Sequence, residues 1–142
     1  MPKPENILVS LEPRHAESIL DGRKRVELRR RTMHVNPGAT MWMYAKLPIG
    51  SVVGKARIKE TQSGTPNALW RKFGAVSGVS KTEFFSYFDG VSHGVALVLA
   101  DAERLNKGIA LGDLHGQDKR FHPPQFFTRM HADHPILHAT TA

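Results

Sequence analysis

The sequence predicts an α+β domain built as a small, partly closed β-barrel with two or three flanking helices. Three observations carry that prediction. The chain has 142 residues, the size of one ordinary domain, and such a domain buries roughly 68% of the surface its unfolded chain exposes. About five or six segments alternate or run apolar in the manner of strands, and two or three others carry apolar groups at helical spacing. No internal repeat, low-complexity tract or linker divides them. Residues 5–137 are therefore expected to form one domain, with 138–142 as a frayed tail.

Ile7 to Leu11 is a run of β-favouring apolar residues, the first strand. Pro13 then sits where the first turn of a helix tolerates it, because the missing N–H would be unpaired there anyway. Ala16, Ile19 and Leu20 follow at helical spacing, and Asp21-Gly22 closes the helix. Val26 to Arg31 alternates like a strand, with Val26 and Leu28 on one side and Glu27, Arg29 and Arg31 on the other. Asn36-Pro37-Gly38 is a turn, Thr40 to Ala45 a strand apolar on both faces, and Lys46 to Gly50 a second turn.

Val52 to Glu60 alternates again: Val52, Gly54, Ala56 and Ile58 make one face, and Lys55, Arg57 and Lys59 a basic stripe on the other. Thr65-Pro66 starts a helix carrying Leu69, Trp70 and Phe73. Ser80-Lys81-Thr82-Glu83 is a capping box, in which Ser and Glu each satisfy the other's orphan amide. It opens a helix bearing Phe84, Phe85, Tyr87 and Phe88, which Asp89-Gly90 stops. Gly94 to Ala100 is an unbroken apolar run, read as a buried strand, with Ala102 to Leu105 as a candidate extension. The signals then weaken. Leu111 to Leu114 carries no clear pattern, and His122-Pro123-Pro124-Gln125 is incompatible with helix interior.

Charge is distributed unevenly. Of 20 Lys and Arg, 13 lie between Arg23 and Lys81, where Glu27 and Glu60 are the only acidic residues; the remainder is mildly anionic. So lopsided a field suits a polyanionic partner, although scattered surface cations that keep the protein soluble would give the same count. Other chemistries are excluded or disfavoured. There is no Cys, which rules out disulfides, thiolate nucleophiles and iron–sulfur clusters. No P-loop, dinucleotide fingerprint or G-x-S-x-G elbow is present, so no nucleotide cofactor, or any other cofactor, is expected. No apolar run is long enough for a membrane span, and the first residues lack the apolar core of a signal peptide; the expected location is the cytoplasm, without a membrane partner. His131-x-Asp133-His134 and His138 have metal-ligand character, but Pro135 interrupts them near the terminus, and they read as a surface tail without a metal.

The most distinctive stretch is Ile19 to Arg29. It closes a helix with Gly22 and then places Lys24, Glu27 and Arg29 at the entry to a strand. This resembles the G-x-K-x-x-E-x-R signature of the ASCH domain, a branch of the PUA-like β-barrel superfamily. Ser10-Leu11, Tyr44-Ala45, Pro48, Val53-Gly54 and Phe84-Phe85-x-Tyr87-Phe88-x-Gly90 fall in the expected order, and Phe121 to Gln125 resembles the ending of one subgroup. The resemblance spans about residues 7 to 128. It implies a PUA-like barrel with a cleft beside the first helix that accepts RNA or a modified base. Some small ASCH proteins are acetylcytidine amidohydrolases using a Lys, a Thr and a Glu. The Lys falls on Lys24 and the Thr position on Glu27, while the Glu is due near Ser77, where this chain has no carboxylate. Others have been linked to ribonuclease activity, and many are described as RNA-binding regulators.

Taken alone, Lys24, Glu27 and Arg29 read as a salt-bridge cluster closing one end of the barrel; with the resemblance they become a ligand site. The expected ligand is single-stranded RNA or a nucleoside in a basic cleft. Lys24, Glu27 and Arg29 form its floor, Tyr44 stacks or donates a hydrogen bond, and Arg31, Lys46, Lys55 and Arg57 hold phosphate, in binding that falls with salt. Lys24→Ala is expected to weaken binding with little loss of fold. The alternative is a hydrolase in the same cleft, a metal-independent ribonuclease or a modified-cytidine amidohydrolase, with Lys24, Glu27 and Tyr44 as its catalytic groups. A third reading is a module that binds a protein partner through its acidic C-terminal half.

Overall fold

The computed structural model describes residues 5–110, 127–130, 134 and 136–137. The expectations for Leu111 to Leu114, Phe121 to Gln125, most of the His131–His138 cluster and the tail lie outside those residues. The element order is β1 (Asn6–Leu11), α1 (Pro13–Leu20), β2 (Val26–Arg29), β3 (Thr40–Ala45), β4 (Ser51–Gly64), α2 (Pro66–Phe73), α3 (Lys81–Tyr87), β5 (Gly94–Ala110) and β6 (Phe127–Arg129). A 3₁₀ turn, Gly74–Val76, joins α2 to the loop before α3.

The strands make one sheet in the order β2-β5-β4-β3-β1-β6, the half-barrel form of the expected partly closed barrel. β1 and β3 run parallel and the other neighbours antiparallel. Alternation along β1 and β3 puts apolar groups on both faces. Ile7, Val9, Leu11, Met41, Met43 and Ala45 share one core with Ala16 and Ile19 of α1. Leu8, Trp42 and Tyr44 join Val52, Ile109, Met130 and Ile136 on the reverse face. A third cluster gathers Val26, Leu28 and Ala96 against Leu69 and Phe73 of α2 and Phe84 of α3. Both helices come from the connection between β4 and β5, which thereby covers the β2 end of the sheet.

Three details differ from the sequence reading. Val52 does not share a face with Ala56 and Ile58, because Met43 pairs with Gly54 while Tyr44 pairs with Val52. The intervening Val53 is a bulge, and it turns Val52 onto the Tyr44 side. β2 stops at Arg29 rather than Arg31, its last pair with β5 being Arg29–Val95, one residue inside the start of β5. The strand after Gly94 continues to Ala110, past an irregularity where Asp101 takes a positive φ of 54°. Among the described residues, no helix is long and apolar enough to cross a membrane.

Candidate functional site

The cleft lies where the end of β1, the start of α1, the entry to β2 and α3 converge, and it encloses about 250 Å³. Local sequence explains how Lys24 reaches it. Gly22 ends α1 with φ +82°, a left-handed conformation that a side chain would disfavour by roughly 1–2 kcal/mol. The chain doubles back there, so that the amides of Arg23 and Lys24 both donate to the Ser18 carbonyl, each at 3.0 Å. Arg25 N–H then donates to Val76 O at 2.8 Å, and Lys24 Nζ donates to Ser77 O at 2.5 Å. The strand entry is thus tied to the loop before α3. Gly78 permits the approach, because it has φ +71° and a Cβ built on it would lie 3.1 Å from three atoms of the Lys24 stem.

Lys24 is only 2% exposed and Glu27 only 6%. Glu27 accepts from Arg29 at 3.0 Å in a pair that is largely shielded from water. Burial pulls the Lys24 ammonium below its ordinary 10.5, against the attraction of Glu27. Lys24 therefore has two roles, a cation facing the cleft and a staple on the Ser77 loop. Lys24→Ala removes both the ammonium and the stem that packs on Gly78, whereas Lys24→Met keeps the stem.

α1 and α3 supply groups the sequence reading passed over. Arg14 holds Glu83 through two hydrogen bonds of 2.7 and 3.1 Å and Glu12 through one of 3.0 Å. These bonds hold both carboxyls below their usual range and the guanidinium above its own. The capping box consequently forms only in half. Glu83 N–H donates to Ser80 Oγ at 3.1 Å, whereas the Glu83 carboxylate is taken by Arg14, a charge-assisted pair stronger than a bond to a neutral amide. His15 lies beside them with Nε2 3.9 Å from Glu12. Burial, then the nearby Lys24 and Arg14 charges, depress its imidazole below the ordinary 6.5, leaving it neutral at pH 7 with a nitrogen free to accept a proton. Ser10 also lines the cleft. It is 7% exposed, and its Oγ has no hydrogen-bond partner among the described residues.

Among the described residues, the lining therefore holds four formal cations, Arg14, Lys24, Arg29 and Lys46, and three carboxylates, Glu12, Glu27 and Glu83. The expected basic cleft is in fact a mixed one with a small positive excess. Of the residues the sequence singled out, Lys24, Glu27, Arg29 and Lys46 come together here. Arg31 lies beyond the end of β2 and lines a neighbouring cavity. Tyr44 is 4% exposed and packs in the reverse-face core, where burial raises its phenol. It pairs with Ser10 across β1 and β3 but is not among the cleft-lining residues. Lys55 sits 5.0 Å from the centre of the Trp42 ring, and Arg57 pairs with Asp101 at 2.9 Å; neither reaches the cleft. Trp70 is packing, edge-on to Phe84 at 5.1 Å.

Arg14, His15 and Glu83 carried a weak signal in the sequence. They sit on two helices some seventy residues apart, and only the Glu83 capping pattern marked any of them. His15 stands five residues after Ser10, too far to be read as part of the same motif.

No protein-family model matches the chain. An ASCH domain-containing ribonuclease of Zymomonas mobilis is 33% identical over 128 residues, covering 90% of this chain and 86% of the relative. A crystal structure of the Zymomonas mobilis ASCH protein superposes with a TM-score of 0.88 at 30% identity, covering 94% of this chain and 93% of the other. A serine-to-alanine variant of that protein superposes at 0.90, with 99% of both chains covered. Human THYN1 in complex with 5-methylcytosine-containing DNA shares the fold at a TM-score of 0.55 and 11% identity, over 96% of each chain. The Gly22-Lys24-Glu27-Arg29 signature, the half-barrel it feeds and the near full-length likeness agree: this chain belongs to the ASCH domain family.

Proposed function

We propose that the cleft binds single-stranded RNA and cleaves its backbone. The observation that carries this reading is one pocket holding a neutral, half-buried imidazole, His15, together with the buried Lys24 and the partly buried Arg29. Support comes from the ribonuclease relative, of which this chain covers 86%. RNA carries its own nucleophile. The 2′-hydroxyl passes its proton to the free ring nitrogen of His15, and O2′ bonds to the adjacent phosphorus. The P–O5′ bond breaks and the departing oxygen takes a proton from water, to which His15 returns the one it accepted, leaving a 2′,3′-cyclic phosphate and a 5′-hydroxyl. Charge builds on the non-bridging oxygens in the transition state, where Lys24 and Arg29 stabilise it in a partly dry site. Glu27 and the unpartnered Ser10 Oγ face the base, one as acceptor and the other as either donor or acceptor. Lys46 at the rim meets a flanking phosphate.

The test uses an end-labelled mixed-sequence single-stranded RNA incubated with wild type and Lys24→Met over a range of salt, reading retention and fragment length together. Wild type is expected to bind in a salt-sensitive manner and to release fragments ending in cyclic phosphate. Lys24→Met, with its stem still packed on Gly78, is expected to cleave at least tenfold more slowly. RNA that stays intact and unretained with wild type overturns the proposal.

A further inference from the structure

We infer that a second cavity next to the cleft takes the adjoining nucleotide of the same strand, so that the ligand is an oligonucleotide rather than a free nucleoside. The inference rests on the reading of the cleft given above and adds a subsite to it. The cavity encloses about 680 Å³ and shares two wall residues with the cleft, Arg29 and Tyr87. A chain leaving the cleft across that wall enters it directly.

Its charge differs from that of the cleft. Arg29, Arg30 and Arg31 line it, and no carboxylate does among the described residues. Arg30 donates to the Asp89 carbonyl at 3.1 Å, a neutral acceptor that leaves its charge uncompensated. Both Arg30 and Arg31 are exposed. Of the cations expected to hold phosphate, Arg31 stands here beside Arg30, just past the end of β2, whereas Lys55 and Arg57 lie away from both cavities. Aromatic surface is present in the same wall. Tyr87 is 40% exposed, and it is fixed at both ends: its hydroxyl donates to Leu28 O at 3.0 Å, and its ring meets Phe88 edge-on at 5.0 Å. A ring so held presents surface for stacking at little entropic cost. Phe127 also lines the cavity. Exposed Arg30 and Arg31 set beside aromatic rings make the pattern that holds single strands, each stacked base contributing about 1–3 kcal/mol.

The experiment measures Kd for 2′-O-methyl oligonucleotides of one, two and three residues, which lack the hydroxyl nucleophile and so survive the assay. Wild type and an Arg30→Ala/Arg31→Ala double variant are compared, with circular dichroism to verify that the variant is folded. In wild type the dinucleotide is expected to bind about tenfold more tightly than the mononucleotide, as one added stack and phosphate contact would give. In the variant that ratio is expected to fall below about threefold. Equal affinity for all lengths in wild type, or a ratio that survives in the folded variant, overturns the second subsite while leaving the cleft intact. Failure of every length to bind wild type overturns the cleft reading and this inference together.

Discussion

His15→Gln is expected to slow RNA cleavage about 10²- to 10⁴-fold, the usual contribution of a positioned general base. Gln keeps the size and polarity of the ring and leaves Arg14 on Glu12 and Glu83, so the fold and the binding of RNA should change little. The pH profile separates this from a structural effect. A base works only when deprotonated, so kcat/KM rises with pH through the imidazole pKa. Burial and the adjacent Lys24 and Arg14 set that pKa below 6.5, and the acid limb of wild type should therefore lie below pH 6.5. The limb should vanish in the variant. Stability follows the same sign. The unfolded chain takes up the proton at higher pH than the folded one, so below 6.5 wild type loses stability as pH falls toward the folded pKa, and His15→Gln should lose less over that window. A variant that cleaves at the wild-type rate, or keeps the acid limb, would remove His15 from the chemistry.

Phe84→Ala is expected to cost about 3–5 kcal/mol of stability, the range for truncating a fully buried phenylalanine. Phe84 is 0% exposed. It meets Trp70, Phe85 and Phe88 edge-on at 5.1, 5.4 and 5.0 Å respectively, and it is at once the centre of the α2–α3 core and a wall of the cleft. The cavity left behind would let α3 slip and carry Glu83 away from Arg14. Urea unfolding should show a lower midpoint at a similar slope, and the surviving folded fraction should bind RNA more weakly. Phe84→Leu, which refills most of the volume, should recover the larger part of the loss. A midpoint unchanged by Phe84→Ala would mean that the aromatic cluster does not hold α3 in place.

Element order was largely legible in the chain, because its punctuation is local. Pro13 and Gly22 bracket α1, Thr65-Pro66 starts α2, and Thr65 Oγ1 does accept from Ala68 N–H at 3.1 Å. The Lys24, Glu27 and Arg29 grouping was equally local, since one glycine turn and one strand entry place all three. What could not be read depends on partners distant in sequence. The half-formed capping box at Ser80 needs Arg14 to claim Glu83, sixty-nine residues away. The bulge at Val53 depends on where β3 places Tyr44, and it moves Val52 to the other face. Tyr44, Lys55 and Arg57 have the aromatic or basic character that a nucleic-acid cleft uses, yet they lie outside it. A sheet has two sides, and period-two alternation cannot say which of them faces a cleft built by helices from elsewhere.

Amide chemical-shift mapping with a 2′-O-methyl dinucleotide locates the bound RNA. Shifts are expected at Ser10–His15, Lys24–Arg31 and Glu83–Tyr87, with Trp42, Lys55 and Arg57 unaffected. Shifts gathered instead around Trp42, Tyr44 and Lys55 would put the ligand on the reverse face of the sheet and overturn the assignment of the cleft.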